Sequence, residues 1–233
     1  MRKLIIVCLV LNTVCLSLRG EETVKKDSSW SLSGMSALTL SQVSLSNWSA
    51  GGEDAIGFNV QFAYNADYKK AKHLWQNRLE LAYGLNRTET DGSKKTNDKI
   101  YISTTYGYGL TKSLYVSSMV SFNSQFAKGY DYKPDPRVLI SRFMAPGYLM
   151  GGLGLTWNPK VYFTATLSAI SWRGTFVTSD VLSEQGAYGV KPGEHLFSEM
   201  GGNLKLEVNY EFMKNMTIYS RVDFFSNYLE DTK

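Results

Sequence analysis

The chain has 233 residues, 43% hydrophobic, 13% aromatic and 20% charged, with a net charge of +4. Five Pro and 20 Gly exclude a disordered or collagen-like chain, and bases scattered among acids exclude a nucleic-acid-binding surface. No window after residue 20 approaches the roughly 18 continuous apolar residues of a transmembrane helix.

Residues 1–20 read as a signal peptide. Arg2 and Lys3 supply the basic start, Leu4–Leu11 and Val14–Leu18 the apolar part, and cleavage is expected near Ser17 to Gly20. Cys15 lacks the small preceding residue that lipid anchoring requires. Both cysteines, Cys8 and Cys15, fall in this segment, so the exported chain has no disulfide and no Cys metal site. Residues 21–29 are a charged linker.

Residues 30–48 alternate imperfectly. Leu38 and Leu40 share one parity and Val43 and Leu45 the other, which predicts a bulge near Ser41 and Gln42. Residues 47–53 then read as a turn on which Trp48 packs. Residues 55–68 are the clearest element. Ile56, Phe58, Val60, Phe62, Tyr64, Ala66 and Tyr68 make one face; Gly57, Asn59, Gln61, Asn65 and Asp67 make the other. A period of two held this long predicts a strand with a different solvent on each face. It exceeds the five or six residues usual in soluble sheets and suits a tilted membrane crossing of roughly 9–11 residues.

The same pattern recurs at residues 75–85, 100–110, 114–126, 143–157, 161–172, 198–212 and 216–229. Short turns at 69–72, 111–113, 158–160 and 213–215 alternate with longer loops at 86–99, 127–142 and 173–197. Outer-membrane barrels alternate short periplasmic turns with long outer loops in this way. Three-residue turns put Leu110 opposite Leu114, Trp157 opposite Val161 and Phe212 opposite Met216, and so predict Glu207 opposite Arg221 and Lys205 opposite Asp223.

The expected fold is all-β: an antiparallel up-and-down transmembrane β-barrel over residues 30–233, with nine visible strands. Its lumen-facing residues are Asn59, Gln61, Asn65, Asp67, Arg78, Glu80, Lys205, Glu207, Arg221 and Asp223. A soluble sandwich or lipocalin-like barrel is the competing reading. The strand lengths, the aromatic ends (Trp75, Tyr108, Trp157, Trp172) and polar faces rich in Gly, Ser and Thr argue against it. Nine strands would leave the chain ends on opposite sides of a membrane, whereas closed bacterial barrels carry an even count. The expectation is therefore a barrel of about 10–12 strands, incomplete here at the C-terminus and not closing into a stable pore by itself.

Several stretches resemble a known family: residues 41–53 (SQVSLSNWSAGGE), 79–85 (LELAYGL), 95–99 (KTNDK), 125–130 (QFAKGY), 143–148 (FMAPGY), 189–193 (GVKPG) and 225–229 (FSNYL). On them the chain is similar, from about residue 30 onward, to a Bacteroidota outer-membrane barrel family catalogued as domain of unknown function 3078. The resemblance implies an outer-membrane location, a barrel fold and further strands after the last stretch. It carries no activity, substrate or catalytic residue.

No catalytic, cofactor or metal site is expected. His195, near Ser198 and Glu199, is the one arrangement that could serve an outer-membrane lipid hydrolase, and His73 beside a turn reads as a surface residue. Asp131 and Asp135 lack the acidic spacing of a calcium loop. Residues 189–193 read as a turn that could also cap the pore. Two functions remain: a passive channel or transporter for small solutes, or a structural or interaction barrel whose loops meet a partner. The expected partners are outer-membrane lipid and, during insertion, the barrel-assembly machinery; no nucleic acid is expected.

Overall fold

The computed structural model describes residues 14–18, 29–45, 52–90, 92–134, 136–214 and 216–228. Alternating residues produce alternating faces, and the described strands are long. They are β1 (Val14–Leu18), β2 (Trp30–Val43), β3 (Ala55–Lys70), β4 (His73–Thr88), β5 (Gly92–Gly109), β6 (Leu114–Ser124), β7 (Gly129–Asp131), β8 (Val138–Ser141), β9 (Gly147–Lys160), β10 (Phe163–Phe176), β11 (Leu196–Met213) and β12 (Met216–Asn227). One antiparallel sheet holds them in the order β1-β2-β3-β4-β5-β6-β9-β10-β11-β12, while β7 and β8 form a separate hairpin. Without β1, which falls inside the predicted leader, the sheet has the nine strands expected.

The sheet curls strongly. β4 and β11 are five strands apart, roughly 24 Å along a flat sheet at about 4.8 Å per strand. Yet Arg78 Nη1 on β4 lies 2.6 Å from Glu207 Oε1 on β11. Only a sheet rolled onto its own concave face brings these side chains together. Among the described residues no pairing joins β12 back to the first strands.

Burial is inverted relative to a soluble protein. Leu32, Leu40, Ile56, Ile102, Val116, Leu153, Leu167, Ile170 and Phe224 on the convex face are 47% to 63% exposed. On the concave face Thr156, Thr166, Ser168, Asn203 and Lys205 are at most 5% exposed. An apolar surface continuous over so many strands far exceeds the patches tolerated on monomers in water. At the short-turn end it finishes in aromatic clusters: Trp30 packs at a tilt against Tyr68 and Trp75 with ring centres 5.2 and 5.6 Å away, and Tyr162 lies 4.9 Å from Tyr210.

The cluster of buried apolar side chains lies among the loops at the other end. Ala145, Val177, Leu182 and Val190 pack there, with Leu139, Ala187 and Phe197 against them. The connection after β10 carries α1 (Asp180–Glu184) and a single tight turn at Ala187–Gly189. The Tyr188 hydroxyl donates to the Ile140 carbonyl and ties this segment to β8. The 189–193 stretch thus belongs to an ordered cap over the loop end, in which Val190 is buried.

Four local expectations change. β2 pairs with β3 without a shift from Trp30↔Tyr68 to Val43↔Ala55, so no bulge occurs at Ser41 and Gln42. Residues 86–99 are mostly strand: β4 and β5 continue as a tall hairpin whose register shifts beside Thr96. The chain turns at Val161 and Tyr162 rather than 158–160. Trp157 therefore faces Ala165, not Val161, though its parity and apolar face are kept. Pro159, which has no N–H to donate, sits where that pairing is irregular. The connection at 127–142 contains β7 and β8. A shift between Ser168 and Ser171 places both Ala169 and Ile170 outward, which returns Trp172 to the apolar face. Nearby, Gly154 fits only as glycine, since a Cβ would collide with the Leu167 carbonyl oxygen. Trp48 lies outside the described residues.

Candidate functional site

The concave face places bases and acids at similar depth. Arg78 Nη1 bonds Glu207 Oε1 at 2.6 Å, its Nε donates to Asn65 Oδ1 at 2.8 Å, and it also reaches the Tyr219 hydroxyl. Arg221 Nη1 bonds Glu80 Oε1 at 2.9 Å, and its Nε lies 3.4 Å from Asp223 Oδ2. Lys205 Nζ reaches Glu207 Oε2 at 3.2 Å, and Lys99 pairs with Glu80. The guanidiniums also lie over rings: Arg78 is 4.5 Å from the Tyr219 ring centre and Arg221 3.9 Å from that of Tyr101. β4 is thereby tied to β11 and β12 across the hollow of the sheet. Glu207 lies opposite Arg221 and Lys205 opposite Asp223 as expected, but at the turn Met213 rather than Phe212 faces Met216, after a register shift between Glu211 and Met213.

The remaining predicted positions surround this network. Asn59 Oδ1 accepts from Asn97 Nδ2 at 3.2 Å, nearer the loop end. Gln61 is half-buried between Ala37 and Ala82 on the neighbouring strands. Asp67 lines a recess at the short-turn end with Gln76, Tyr162 and Asn209. Seven of the ten predicted residues thus join two neighbouring bonded groups: Asn65, Arg78, Lys205 and Glu207 in one, and Glu80, Arg221 and Asp223 in the other.

Toward the loops a larger cavity of about 550 Å³ opens. Arg173 grips Glu199 there through Nε at 2.6 Å and Nη2 at 2.8 Å, and covers the Phe225 ring at 4.1 Å. Two parallel bonds to one carboxylate need the planar guanidinium fork. Arg173→Lys is therefore expected to lose about 1–2 kcal/mol, discounted because the arginine is a third exposed. A lowered urea midpoint of the folded protein checks this.

Residues 40–130 match the model of a family described as "Protein of unknown function (DUF3078)". No curated protein and no solved structure matches the chain. The DUF3078-like stretch runs from the end of β2 into β7. It holds the β4 half of the network, Arg78 and Glu80, while Glu207 and Arg221 lie beyond it.

The residues weighed for catalysis have separate partners. His195 Nδ1 is 2.7 Å from the Val177 carbonyl, and its Nε2 is 3.7 Å from Asp180. Ser198 accepts from Trp172 Nε1 at 2.7 Å, and Glu199 turns inward to Arg173. His73 Nδ1 lies 2.6 Å from the Tyr106 hydroxyl among exposed aromatics. Asp131 accepts from the Lys133 amide, and Asp135 lies outside the described residues. Sequence reasoning missed Lys99, Tyr101, Arg173 and Tyr219. Tyr219 shares parity with Arg221 and was readable from the alternation. Arg173 was hidden by the bulge before it.

Proposed function

We propose that the chain is the wall of an outer-membrane β-barrel, exported by residues 1–20, whose interior is blocked at mid-depth: a structural or interaction barrel whose loops meet a partner rather than a conduit for solutes. The exposed apolar band faces lipid, and the aromatic clusters sit at the membrane boundary on the periplasmic side. The barrel-assembly machinery inserts it. Loss of the leader removes β1 and leaves β2 as an edge.

The observation that carries this reading is the pairing across the hollow, Arg78 with Glu207 and Arg221 with Glu80. Small barrels fill their interiors with side chains, and only larger ones leave an aqueous path. The Ser- and Thr-rich inner wall supports the other reading, a passive channel or transporter for small solutes. Planar-bilayer recordings decide between them when made on a barrel whose closure is first shown by heat-modifiable electrophoretic mobility, since an open sheet is silent on either reading. No reproducible conductance step is expected. Steps of uniform size would overturn the blocked interior and establish the channel.

A further inference from the structure

Each short turn between neighbouring strands carries an exposed lysine. Lys69, Lys70 and Lys72 lie at the β3–β4 turn, Lys112 between β5 and β6, Lys160 at the end of β9 and Lys214 after β11. Among the described residues none of these six pairs with an acid. Two described acids come near this end, Asp67 inside the recess and Glu211 on β11. The loop end is mixed instead: Lys95 pairs with Asp98 there, and Lys191 with Glu194. In sheet order the short turns recur at every second strand, so the lysines follow the whole curl of the sheet and are not gathered into one patch.

The lysines stand just beyond the aromatic level. Lys160 is three residues past Trp157 and Lys214 four past Tyr210. At about 3.4 Å per residue and a tilt near 40°, that is at most roughly 8–10 Å along the barrel axis. A headgroup layer is about 5–8 Å thick, and a lysine stem reaches back across the difference. Lys72 does so: its Nζ lies 5.7 Å from the ring centre of Tyr108, which is exposed on the convex face. Lys69 has the opposite parity and leans inward, 6.0 Å from the ring centre of the buried Tyr115. The other five remain to meet whatever surrounds the barrel.

We propose that this basic rim binds the headgroup phosphates of anionic phospholipids in the periplasmic leaflet, with the acyl chains against the apolar band above it. A zwitterionic lipid brings its own cation to each phosphate, so an anionic one gains more from an unpaired lysine. A second copy of the chain would set lysine against lysine. An acidic protein docks on one side, whereas charge spread over four turns matches a partner that encircles the barrel, as lipid does.

This inference rests on the reading of the convex face as lipid-facing, and the two fail separately. The test is quenching of tryptophan fluorescence by lipids with dibrominated acyl chains, since Trp30, Trp75 and Trp157 stand at this end. The full chain is reconstituted in mixed vesicles of phosphatidylglycerol and phosphatidylcholine, with the bromines on one lipid and then on the other. The ratio of the two quenching curves gives the relative binding constant. Phosphatidylglycerol is expected to be favoured about fivefold, the scale of one lysine beside an anionic lipid surface. The preference is expected to vanish in about 1 M sodium chloride, where charges are screened within about 3 Å. It is also expected to vanish when Lys70, Lys72, Lys112, Lys160 and Lys214 are replaced by glutamine, changes in exposed turns that leave the strands intact. Equal quenching by both lipids leaves the lipid-facing exterior standing, overturns the headgroup preference and returns the rim to an acidic periplasmic protein. A preference that survives the five substitutions would overturn the assignment to these lysines. Quenching by neither lipid would overturn the lipid-facing exterior and this inference with it.

Discussion

Arg78→Leu is expected to lower the unfolding free energy by about 3 kcal/mol, the largest loss among single changes on the concave face. Removing one member of a buried ion pair leaves the other charge without compensation, an effect of about 3–5 kcal/mol where water is excluded. Arg78 and Glu207 are 16% and 17% exposed. Lys205 still holds Glu207 at 3.2 Å after the substitution, which places the expected loss at the lower end of that range. The arginine also bonds Asn65 and Tyr219 and lies over the Tyr219 ring, so its loss releases contacts on β3 and β12 as well as β11. Arg78→Leu with Glu207→Leu removes the stranded charge and is expected to recover part of the stability, with a coupling of about 1–3 kcal/mol between the positions. Urea unfolding in phosphatidylcholine vesicles, followed by tryptophan fluorescence, measures both. A loss under about 0.5 kcal/mol, the scale of an ordinary surface change, would mean that the charges do not bridge the interior.

The strands were legible where the chain meets two environments. From Ile56 to Tyr68 every second residue is apolar because one face of β3 points out of the roll and the other into it. The signal fades at Lys94–Lys99, although these residues are in β5, because there both faces carry polar side chains and the register shifts beside Thr96. Asp98 shows what that stretch does: it pairs with Lys95 at 2.7 Å and accepts from the Phe126 and Ala127 amides, pinning the start of the next loop. Hairpin partners such as Glu207 and Arg221 were readable because a tight turn fixes register. The meeting of Arg78 with Glu207, 129 residues apart, was not, since it depends on how far the sheet curls. Opposite charges on two inward faces at matching depth gave a clue without fixing the pair. Asn203 alternated correctly onto the inner face, but its unpaired Oδ1 is a property of its surroundings.

Leu153→Arg is expected to destabilise the protein by about 2–4 kcal/mol in a bilayer, whereas Val161→Arg leaves it nearly unchanged. Both side chains are exposed, at 59% and 102%, so a solvent-facing reading predicts little effect at either site. The difference lies in depth. Trp157 marks the short-turn aromatic end of β9, and Leu153 is four residues further along the strand. At about 3.4 Å per residue and a tilt near 40°, that is roughly 10 Å along the barrel axis, close to the middle of an apolar band about 25 Å tall. A guanidinium there must leave water or deform the lipid around it. Val161 sits in the turn between β9 and β10, below the Trp157 level, where an arginine remains hydrated. The expected contrast appears in urea titrations of the two variants in vesicles. Equal, small effects would place Leu153 in water and remove the basis for a lipid-facing exterior, because the inverted burial would then need another apolar cover.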